Sequence, residues 1–306
     1  MKRNKVVQQS FFTRRGFIST SLAAVGASSI GVKKAEAFSV RTSAALTIAD
    51  VIEVIKNEIQ FDASRGTVDT IKIGDANQPV KGIVTTMFAT IDVIRKAIDV
   101  GANFIIAHEP TFYGHLDETT WLESHDVYKF KRDLLNKHNI VVWRFHDYWH
   151  SNKPDGVFMG VLTALGWEKH YDEKNPRLIN LPLTKLKDII SLCKNKLDIP
   201  TVRFIGDPSQ ECSKIAILPG ASGGRGHMNV LQTYKPDLLI VGELQEWETS
   251  EYIRDVQAMG GKQSLLVLGH SVSEEPGMSW LVQWLQPKVK DVKITHVPSK
   301  NPFKWA

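Results

Sequence analysis

Histidine and carboxylate side chains recur in three short clusters, and each cluster follows directly on an apolar run. A single histidine in such a place is more often a hydrogen-bonded surface residue, whereas three equivalent clusters seldom arise by chance. Imidazole and carboxylate groups together suit zinc, iron or manganese. The sequence therefore predicts a metal site built from these residues: His108 with Glu109, His146 with His150, and His270 with Glu274.

The spacing within the clusters favours two metal ions over one. Adjacent residues of a strand point to opposite faces, so His108 and Glu109 can bind one ion together only if the strand ends before them. Residues four apart share a helix face, which brings His270 and Glu274 together if the chain is helical there. Glu243 follows a fourth apolar run. It is a candidate to line the same cavity, and a capping or salt-bridged role explains it equally well.

The segments that carry these clusters alternate between helical and extended patterns. Apolar residues from Ile48 to Ile59 recur at helical spacing, and the run 82–87, the helical pattern 91–100 and the run 104–107 predict a strand, a helix and a strand. Further predicted elements are helix 126–138, strand 140–145, helix 156–165, strand 178–183, helix 184–197, strands 202–205, 214–218 and 238–241, helix 247–259, strand 264–268, helix 277–285 and strand 292–296.

These elements predict an α/β protein. We expect two similar halves that meet near residue 170, each with a mixed β-sheet flanked by helices. Because ligands of open α/β sheets bind outside the carboxyl ends of the strands, the metal site is expected at those ends.

Charge is distributed unevenly along the chain. Seven of the 38 Lys and Arg residues precede Ala37, but only one of the 33 Asp and Glu residues does. The remaining 31 basic and 32 acidic residues make the body of the protein almost neutral, which argues against a basic nucleic-acid-binding surface. Two cysteines, Cys193 and Cys212, are too few for a disulfide framework. These two cysteines either form one disulfide bond or are two small residues of the core.

The first 37 residues resemble a twin-arginine export signal. Arg14 and Arg15 precede a mild apolar run, residues 17–32, and the tripeptide at 35–37 is a small-residue cleavage site. The alternative, an uncleaved anchor, needs about 20 strongly apolar residues, and this run is shorter. We therefore expect a signal peptide at 1–37 and an exported, periplasmic domain at 38–306 with no stable membrane insertion after cleavage. This route carries folded proteins, often with a metal already bound.

The clusters, taken in order, carry a resemblance to a known family. Ala-His-Glu-Pro at 107–110, His-x-x-x-His at 146–150, Gly-Glu at 242–243 and Gly-His-x-x-x-Glu at 269–274 are similar to motifs of the Ngg-interacting-factor-like dinuclear-metal family. Members are often labelled GTP cyclohydrolase I type 2. They typically show Thr-His-His-Pro, His-Thr-x-x-Asp, Thr-Gly-Glu and Gly-His-x-x-x-Glu. The resemblance runs from about Thr47 to His296 and fits the short form, which lacks an inserted domain.

Carried over by position, the resemblance implies five metal ligands and two divalent ions, which are zinc, iron or manganese. Two ligands differ in type from the family pattern, because Glu109 replaces a histidine and His150 replaces an aspartate. The exchanges preserve three imidazoles and two carboxylates. The implied ligands are His108, Glu109, His150, His270 and Glu274. His146 matches another family histidine and is assigned a role in contacting a ligand or the substrate.

Other family features are less distinct. The segment 69–74 matches a family motif only loosely, and Met87 and Phe88 stand where an Asp usually follows the early strand. The Gly-rich loop 219–226 matches a family loop. It either presents backbone N–H groups to a phosphate or carboxylate, or forms a tight turn with no ligand.

The resemblance implies a metal-dependent hydrolase that acts on a small cyclic or phosphorylated molecule. Two metal ions about 3.5–4 Å apart would activate water near neutral pH, and His146 or Glu243 would move the proton. One alternative is a metal carrier or regulator without turnover, which the exchanged ligands and the missing early Asp favour. Another is a structural oligomer with a vestigial site. Expected partners are a small-molecule substrate or metal and further copies of the chain, a hexamer by resemblance, with no nucleic acid.

Overall fold

Strands and helices alternate along the described chain. The computed structural model describes residues 45–62, 64 and 66–304, so the expected signal peptide at 1–37 lies outside the described residues. The strands are β1 (Ile71–Ile73), β2 (Ile83–Thr86), β3 (Phe104–Ala107), β4 (Val141–Arg144), β5 (Leu178–Lys185), β6 (Arg203–Ile205), β7 (Glu211–Leu218), β8 (Leu238–Val241), β9 (Ser264–Val267) and β10 (Ile294–His296). The helices are α1 (Ile48–Glu58), α2 (Ile91–Asp99), α3 (Asp126–Lys137), α4 (Asp147–Ser151), α5 (Gly156–Leu165), α6 (Leu186–Lys196), α7 (Gly224–Tyr234), α8 (Glu251–Ala258) and α9 (His270–Leu285).

The first sheet has the strand order β1-β4-β3-β2-β10. The last four strands in this order are parallel, and β1 runs antiparallel to β4. Ala107 at the end of β3 pairs with Arg144 at the end of β4. The residues that follow these two strands therefore leave the sheet as neighbours, at the edge where open α/β sheets place their sites.

The second sheet repeats this plan with the order β5-β7-β8-β9-β6. Its three central strands are parallel, and antiparallel strands form both of its edges. Leu218, Val241 and Val267 are paired in register where the three central strands end. The fold thus confirms two mixed sheets flanked by helices.

Burial explains why the central strands read as continuous apolar runs. Each residue of β2, β3, β4, β8 and β9 is buried, as parallel strands covered by helices on both faces require. Helix boundaries follow from capping residues. Thr47 and Asp50 form a capping box at α1, and the Asp155 carboxylate accepts the backbone N–H groups of Val157 and Phe158 at α5.

Helix α9 connects the two sheets. It begins directly after β9 of the second sheet, packs against α5 and β2, and leads to β10 of the first sheet. Gly160 of α5 and Gly277 of α9 let the two helix backbones touch, because a Cβ atom on Gly160 would overlap the backbone of Gly277. The expected boundary near residue 170 separates β1–β4 from β5–β9, but β10 returns to the first sheet. The described residues fall within one compact unit, Ala44–Ala306.

Some elements differ from the sequence-based expectations. Strand β1, the short helix α4 and helix α7 were not predicted, and the loop expected at 219–226 ends earlier because α7 begins at Gly224. Helix α9 begins at His270 rather than 277 and continues through Pro276. A π-helical turn, Glu246–Ser250, precedes α8 within the expected helix 247–259. Among the described residues, no helix is both long and apolar enough to span a bilayer.

Candidate metal centre

Four histidine rings converge on two glutamates at the carboxyl ends of the strands. Glu109 and His108 follow β3, two rings lie in and just before α4, and His270 and Glu274 lie in the first turns of α9. All four rings turn Nε2 toward a glutamate oxygen. The distances are 3.5 Å from His108 to Glu274, 3.8 Å from His146 to Glu109, 3.9 Å from His150 to Glu274, and 3.2 and 3.1 Å from His270 to Glu109 and Glu274.

The opposite nitrogen of each ring is held by a protein oxygen. These Nδ1 contacts are His108 to the Phe145 carbonyl at 3.1 Å, His146 to Asp147 at 2.8 Å, His150 to Asp155 at 3.2 Å and His270 to Glu243 at 3.2 Å. A carbonyl or an ionised carboxylate can only accept, so Nδ1–H donates and Nε2 of the neutral ring is left with its lone pair. This is the orientation that protein partners impose on metal-binding histidines.

Two groups of side chains have ligand atoms close enough to share a metal ion. Within each group, the ligand atoms of all three residues lie within 4.8 Å of one another. One group is His108, His146 and His150, and the other is His108, Glu109 and Glu274. The donors, imidazole nitrogen and carboxylate oxygen, are those that zinc, iron and manganese accept.

The His108 ring is fully buried, and its Nε2 has no hydrogen-bond partner within the described residues. A buried polar atom without a partner is costly, so such atoms are rare unless a ligand, ion or water completes them. The nearest acceptor is Glu274 Oε2 at 3.5 Å, beyond ordinary hydrogen-bond length. The ring therefore fits a bound cation.

Electrostatics at the centre favour positive charge. Burial alone would raise the pKa of Glu109, but the hydrogen bond with His270 and the neighbouring imidazoles outweigh it and lower that pKa. For His270, burial favours the uncharged ring and so lowers the pKa, but Glu109 and Glu274 outweigh burial and raise this pKa to about 10. His146 shows the opposite balance, because burial and then His108 and His150 lower its pKa to about 4. The two carboxylates thus stay ionised and stabilise a proton or another cation between them.

Helix α4 is positioned by Asp69, a buried residue just before β1. One carboxylate oxygen accepts the backbone N–H groups of His146 and Asp147 at 2.8 and 2.9 Å, and the other accepts that of Tyr148 at 2.9 Å. These are the N–H groups that a helix N-terminus leaves without an intrahelical partner. Asp69 therefore fixes the turn that carries both histidines of this cluster.

Two more charged residues support the ligands. Asp155 accepts from His150 through Oδ2, while its Oδ1 caps α5. Arg144 is fully buried at the end of β4; its Nη2 lies 3.0 Å from Glu109 Oε2, its Nε donates to the His108 carbonyl, and its Nη1 donates to that of His115. One oxygen of Glu109 is thus held by Arg144, and the other faces the imidazoles.

The second sheet approaches the centre with fewer side chains. The Glu243 side chain is 57% exposed, and it contacts the centre through Nδ1 of His270. Gly220, at φ 64°, lies directly against Glu274, so a Cβ atom there would overlap the carboxylate. Gly224 places its N–H 3.1 Å from Glu248 Oε2, so a carboxylate of the protein already binds at the start of α7. The Gly-rich segment therefore forms a tight, close-packed turn.

The structure brings all seven predicted site residues into one cluster. β3 ends at Ala107, so the condition for His108 and Glu109 to face one ion is met. His146, which was expected to contact a ligand or the substrate, belongs to the three-histidine group itself. Glu243 contacts only the far side of His270 among the predicted ligands. Cys193 and Cys212 are buried free thiols.

Sequence reasoning missed Asp69, Arg144 and Asp155 as supporting residues. A signal was present for two of them. An arginine inside the apolar run 140–145 indicates a buried charge that needs a partner, and an Asp directly before the helix pattern at 156 indicates a cap.

The two-sheet fold and its histidine and carboxylate cluster define an α/β protein with a candidate metal centre at the strand carboxyl ends. The chain belongs to the DUF34/NIF3 (NGG1p interacting factor 3) family, whose sequence profile matches residues 46–302. A GTP cyclohydrolase 1 type 2 homolog of Clostridium perfringens is 25% identical over an aligned length of 274 residues, and the match covers 85% of this chain and 100% of that protein. The homolog of Chlamydia pneumoniae is 24% identical over an aligned length of 241 residues, and the match covers 76% of this chain and 90% of the relative.

Solved structures show the same fold. The hypothetical protein SA1388 of Staphylococcus aureus has a TM-score of 0.68 at 20% identity, covering 86% of this chain and 100% of that chain. A Bacillus cereus protein related to NIF3 has a TM-score of 0.67 at 16% identity, and the match covers 86% of this chain and 99% of that chain. Reduced HcgD from Methanocaldococcus jannaschii has a TM-score of 0.61 at 16% identity and covers 82% and 97%. These neighbours confirm the predicted fold class.

Proposed function

We propose that the centre binds two divalent metal ions, which are zinc, iron or manganese. One observation carries the proposal: four histidines turn Nε2 toward two glutamates while a protein oxygen holds each Nδ1. The proposed ligands are His108, Glu109, His150, His270 and Glu274, and His146 is a further donor. Such a donor set suits these ions, and the oriented Nδ1 contacts prepare the rings for them.

Glu274 is the carboxylate best placed to serve both metal positions. Its Oε1 faces His150, and its Oε2 faces His108 and His270. His108 has only one nitrogen available, because Nδ1 donates to the Phe145 carbonyl. The two groups of potential ligands therefore cannot both use His108 at once, and the second position depends on His270 instead.

The function that this centre supports best is hydrolysis of a small cyclic or phosphorylated molecule. When bound, a divalent metal pair supplies Lewis acidity and lowers the pKa of water. Glu243 lies at the partly exposed edge of the cluster, where a proton can be passed to or from solvent. His146 also lies at this edge, and it can pass a proton only while its Nε2 binds no metal, because Asp147 holds its Nδ1. The cyclohydrolase names of the 24–25% identical relatives agree with a hydrolytic reaction.

A metal carrier or regulator without turnover is the second candidate. Arg144 holds one oxygen of Glu109 at 3.0 Å within a fully buried contact. Arg144 offsets part of the negative charge of Glu109 and restricts its movement, so this residue gives a metal less charge and less freedom than an unpaired carboxylate would. The exchanged ligand types would then tune metal retention rather than reaction rate.

Three further proposals concern the protein's setting. The paired arginines and the near-neutral body support export by the twin-arginine route to the periplasm, with cleavage after Ala37. The resemblance supports a homo-oligomer, a hexamer. The charge balance supports a small-molecule substrate or metal as the partner in place of nucleic acid.

Metal analysis of the purified protein, with His108→Ala and Glu274→Ala beside it, tests the centre. We expect about two equivalents of metal in the wild type and loss in both variants, because each removes a buried ligand. His138→Ala, at the exposed end of α3, is the matched control and keeps its metal. Unchanged metal content in the two ligand variants would contradict the assignment of His108 and Glu274 as metal ligands. Hydrolysis of a panel of phosphoesters and lactones by the metal-loaded protein then separates the enzyme from the carrier.

A further inference from the structure

A large cleft opens beside the candidate metal centre. Its volume is about 1210 Å³, and its lining includes Glu109 and His270 of the centre together with Thr111, Tyr113 and Lys131. Thr111 follows Glu109 by two residues, so their Cα atoms are at most ~7 Å apart along the chain. A small molecule in this cleft can therefore contact the centre and the threonine simultaneously.

Lys131 is a buried cation in the wall of this cleft. It belongs to α3 and is 3% exposed. Its Nζ donates to the Thr111 carbonyl at 2.5 Å and lies 5.7 and 5.1 Å from the ring centroids of Phe112 and Tyr113. A lysine ammonium has three N–H donors. Within the described residues, one donor has a hydrogen-bonded oxygen, and aromatic faces supply part of the remaining stabilisation.

Asp117 is the carboxylate that acts electrostatically on this lysine, but it is shared with Lys72, and its Oδ2 has no hydrogen-bond partner within the described residues. Asp117 Oδ1 accepts the backbone N–H of Phe112 at 2.7 Å, and Oδ2 lies 3.4 Å from the Nζ of Lys72. Burial lowers the pKa of Lys131 to about 8, and Asp117 offsets only part of that effect. A buried cation that hydrogen-bonds to no carboxylate within the described part of the chain is stabilised by an anion that enters the cleft.

A second polar group in the same wall lacks a partner. The Thr111 hydroxyl is fully buried, and no hydrogen-bond partner for it exists within the described residues. Lys96 and Lys300 also line the cleft, while the acidic lining residues are Asp92 and the proposed ligand Glu109. A hydroxyl donor, a buried ammonium and further lysines form the environment that binds a compact oxyanion.

We propose that Lys131 and Thr111 form an anion subsite, and that the substrate is a small molecule whose phosphate or carboxylate group occupies it beside the metal centre. That the bound molecule is a substrate rests on the proposed hydrolytic function, but anion binding at the subsite can be tested without turnover. Lys131 is a binding residue in this scheme, placed to hold the anionic end of the molecule while the opposite end faces Glu109 and His270.

Binding of inorganic phosphate to the metal-loaded full-length protein, measured by titration calorimetry, tests the subsite. Lys131→Met is expected to weaken binding about ten- to hundredfold, because it removes a charged hydrogen bond. Lys72→Met is the matched control: Lys72 also faces Asp117 but does not line the cleft, so phosphate affinity should stay within about twofold. Thr111→Val preserves the shape of the side chain and should weaken binding about threefold.

Several results would overturn the subsite. The first is that the wild type binds no phosphate, and the second is that Lys72→Met and Lys131→Met weaken phosphate binding equally. The third is that His108→Ala abolishes phosphate binding while Lys131→Met leaves it unchanged, which would assign the anion to the metal alone. Metal content and melting temperature of each variant exclude unfolding as the cause.

A pair of esters with one leaving group links the subsite to catalysis. Lys131→Met should raise KM for p-nitrophenyl phosphate about tenfold and leave that for the neutral p-nitrophenyl acetate unchanged. An equal change in KM for both esters would contradict an anion subsite. If neither ester is hydrolysed while phosphate still binds through Lys131, the hydrolase proposal fails and the subsite stands.

Discussion

The two sheets share a plan but contribute to the centre in different ways. In each sheet three parallel strands end in register, and chain segments leave those ends toward the site. The first sheet supplies side chains there: His108 and Glu109 after β3, and His146 and His150 after β4. The second sheet supplies a glycine backbone after β7 and an exposed carboxylate after β8. Among its three central strands, only β9 is followed by proposed ligands, which lie on α9.

The difference shows how one scaffold can divide a task. Loops of the first sheet hold imidazoles whose orientation is fixed by buried partners such as Asp69 and Asp155. The second sheet provides space, because Gly220 lets α9 approach closely enough for Glu274 to reach the imidazoles. If this division is correct, substitutions in the two halves will fail in different ways.

Gly220→Ala should have the largest effect. Its Cβ atom would overlap the Glu274 carboxylate and displace a ligand that faces three histidines, so metal affinity should fall at least about hundredfold. Gly223→Ala is the matched control, because Gly223 has a similar φ of 78° but open space around its Cβ position. Equal metal affinity in the two variants, measured by competition with a chelator, would show that the close approach is unimportant.

Gly277→Ala should destabilise the connection between the halves. The new Cβ atom would overlap Val157 of α5, and overpacking of this kind costs about 1–3 kcal/mol of unfolding free energy. Gly226→Ala in α7 meets open space and should be neutral or stabilise by up to about 1 kcal/mol, since alanine is the better helix former. Denaturant unfolding of both variants measures the difference, and a stable Gly277→Ala protein would argue against a tight α5–α9 contact.

Asp69→Asn should weaken metal binding about tenfold. The amide retains the shape of the carboxylate but is a poorer acceptor for the N–H groups that start α4, so His146 and His150 are held less firmly. Asp207→Asn is the control, because Asp207 also accepts a backbone N–H but lies on the surface of the second half. Metal affinity unaffected by Asp69→Asn would mean that α4 needs no such anchor.

Glu243→Gln should have the smallest effect, less than about fivefold on metal affinity. The contact of Glu243 with His270 is more than half exposed, and exposed pairs contribute little. Asp155→Asn offers the matched comparison in the first half, where a largely buried carboxylate holds His150 and about tenfold is expected. A larger loss in Glu243→Gln than in Asp155→Asn would reverse the assigned division between the sheets.

The sequence predicts the elements whose pattern is local. Strand β3 and helix α5 agree with expectation to the residue, because an apolar run ending in His-Glu-Pro and a helix pattern between Asp155 and Gly166 carry their own boundaries. The signals that failed are those that depend on neighbours. Strand β1 is three residues long and exists by pairing with β4, and α7 is rich in glycine, which is a poor helix former.

The same distinction applies to the centre. Ligand-type side chains at the ends of apolar strands are visible in the sequence, so the cluster of seven residues was predictable. Which oxygen holds each ring was not, because Asp69 lies 77 positions from His146 and Glu109 lies 161 positions from His270. Only the sheet order brings such partners together. The resemblance assigns His146 a role in contacting a ligand or the substrate, whereas its place in the three-histidine group depends on the turn that Asp69 fixes.

The return of β10 to the first sheet also sets an order of events during synthesis. His296 in β10 hydrogen-bonds to the carbonyl of Thr85 in β2, 211 positions earlier. At about 5–20 residues per second, roughly 10 to 40 s separate the appearance of the two strands on the ribosome. Throughout that interval the edge of β2 that pairs with β10 has no neighbouring strand. Glu274 is synthesised only near the end of the interval. The nascent chain therefore lacks the complete set of candidate ligands until Glu274 has been synthesised, so the proposed centre cannot form before that point.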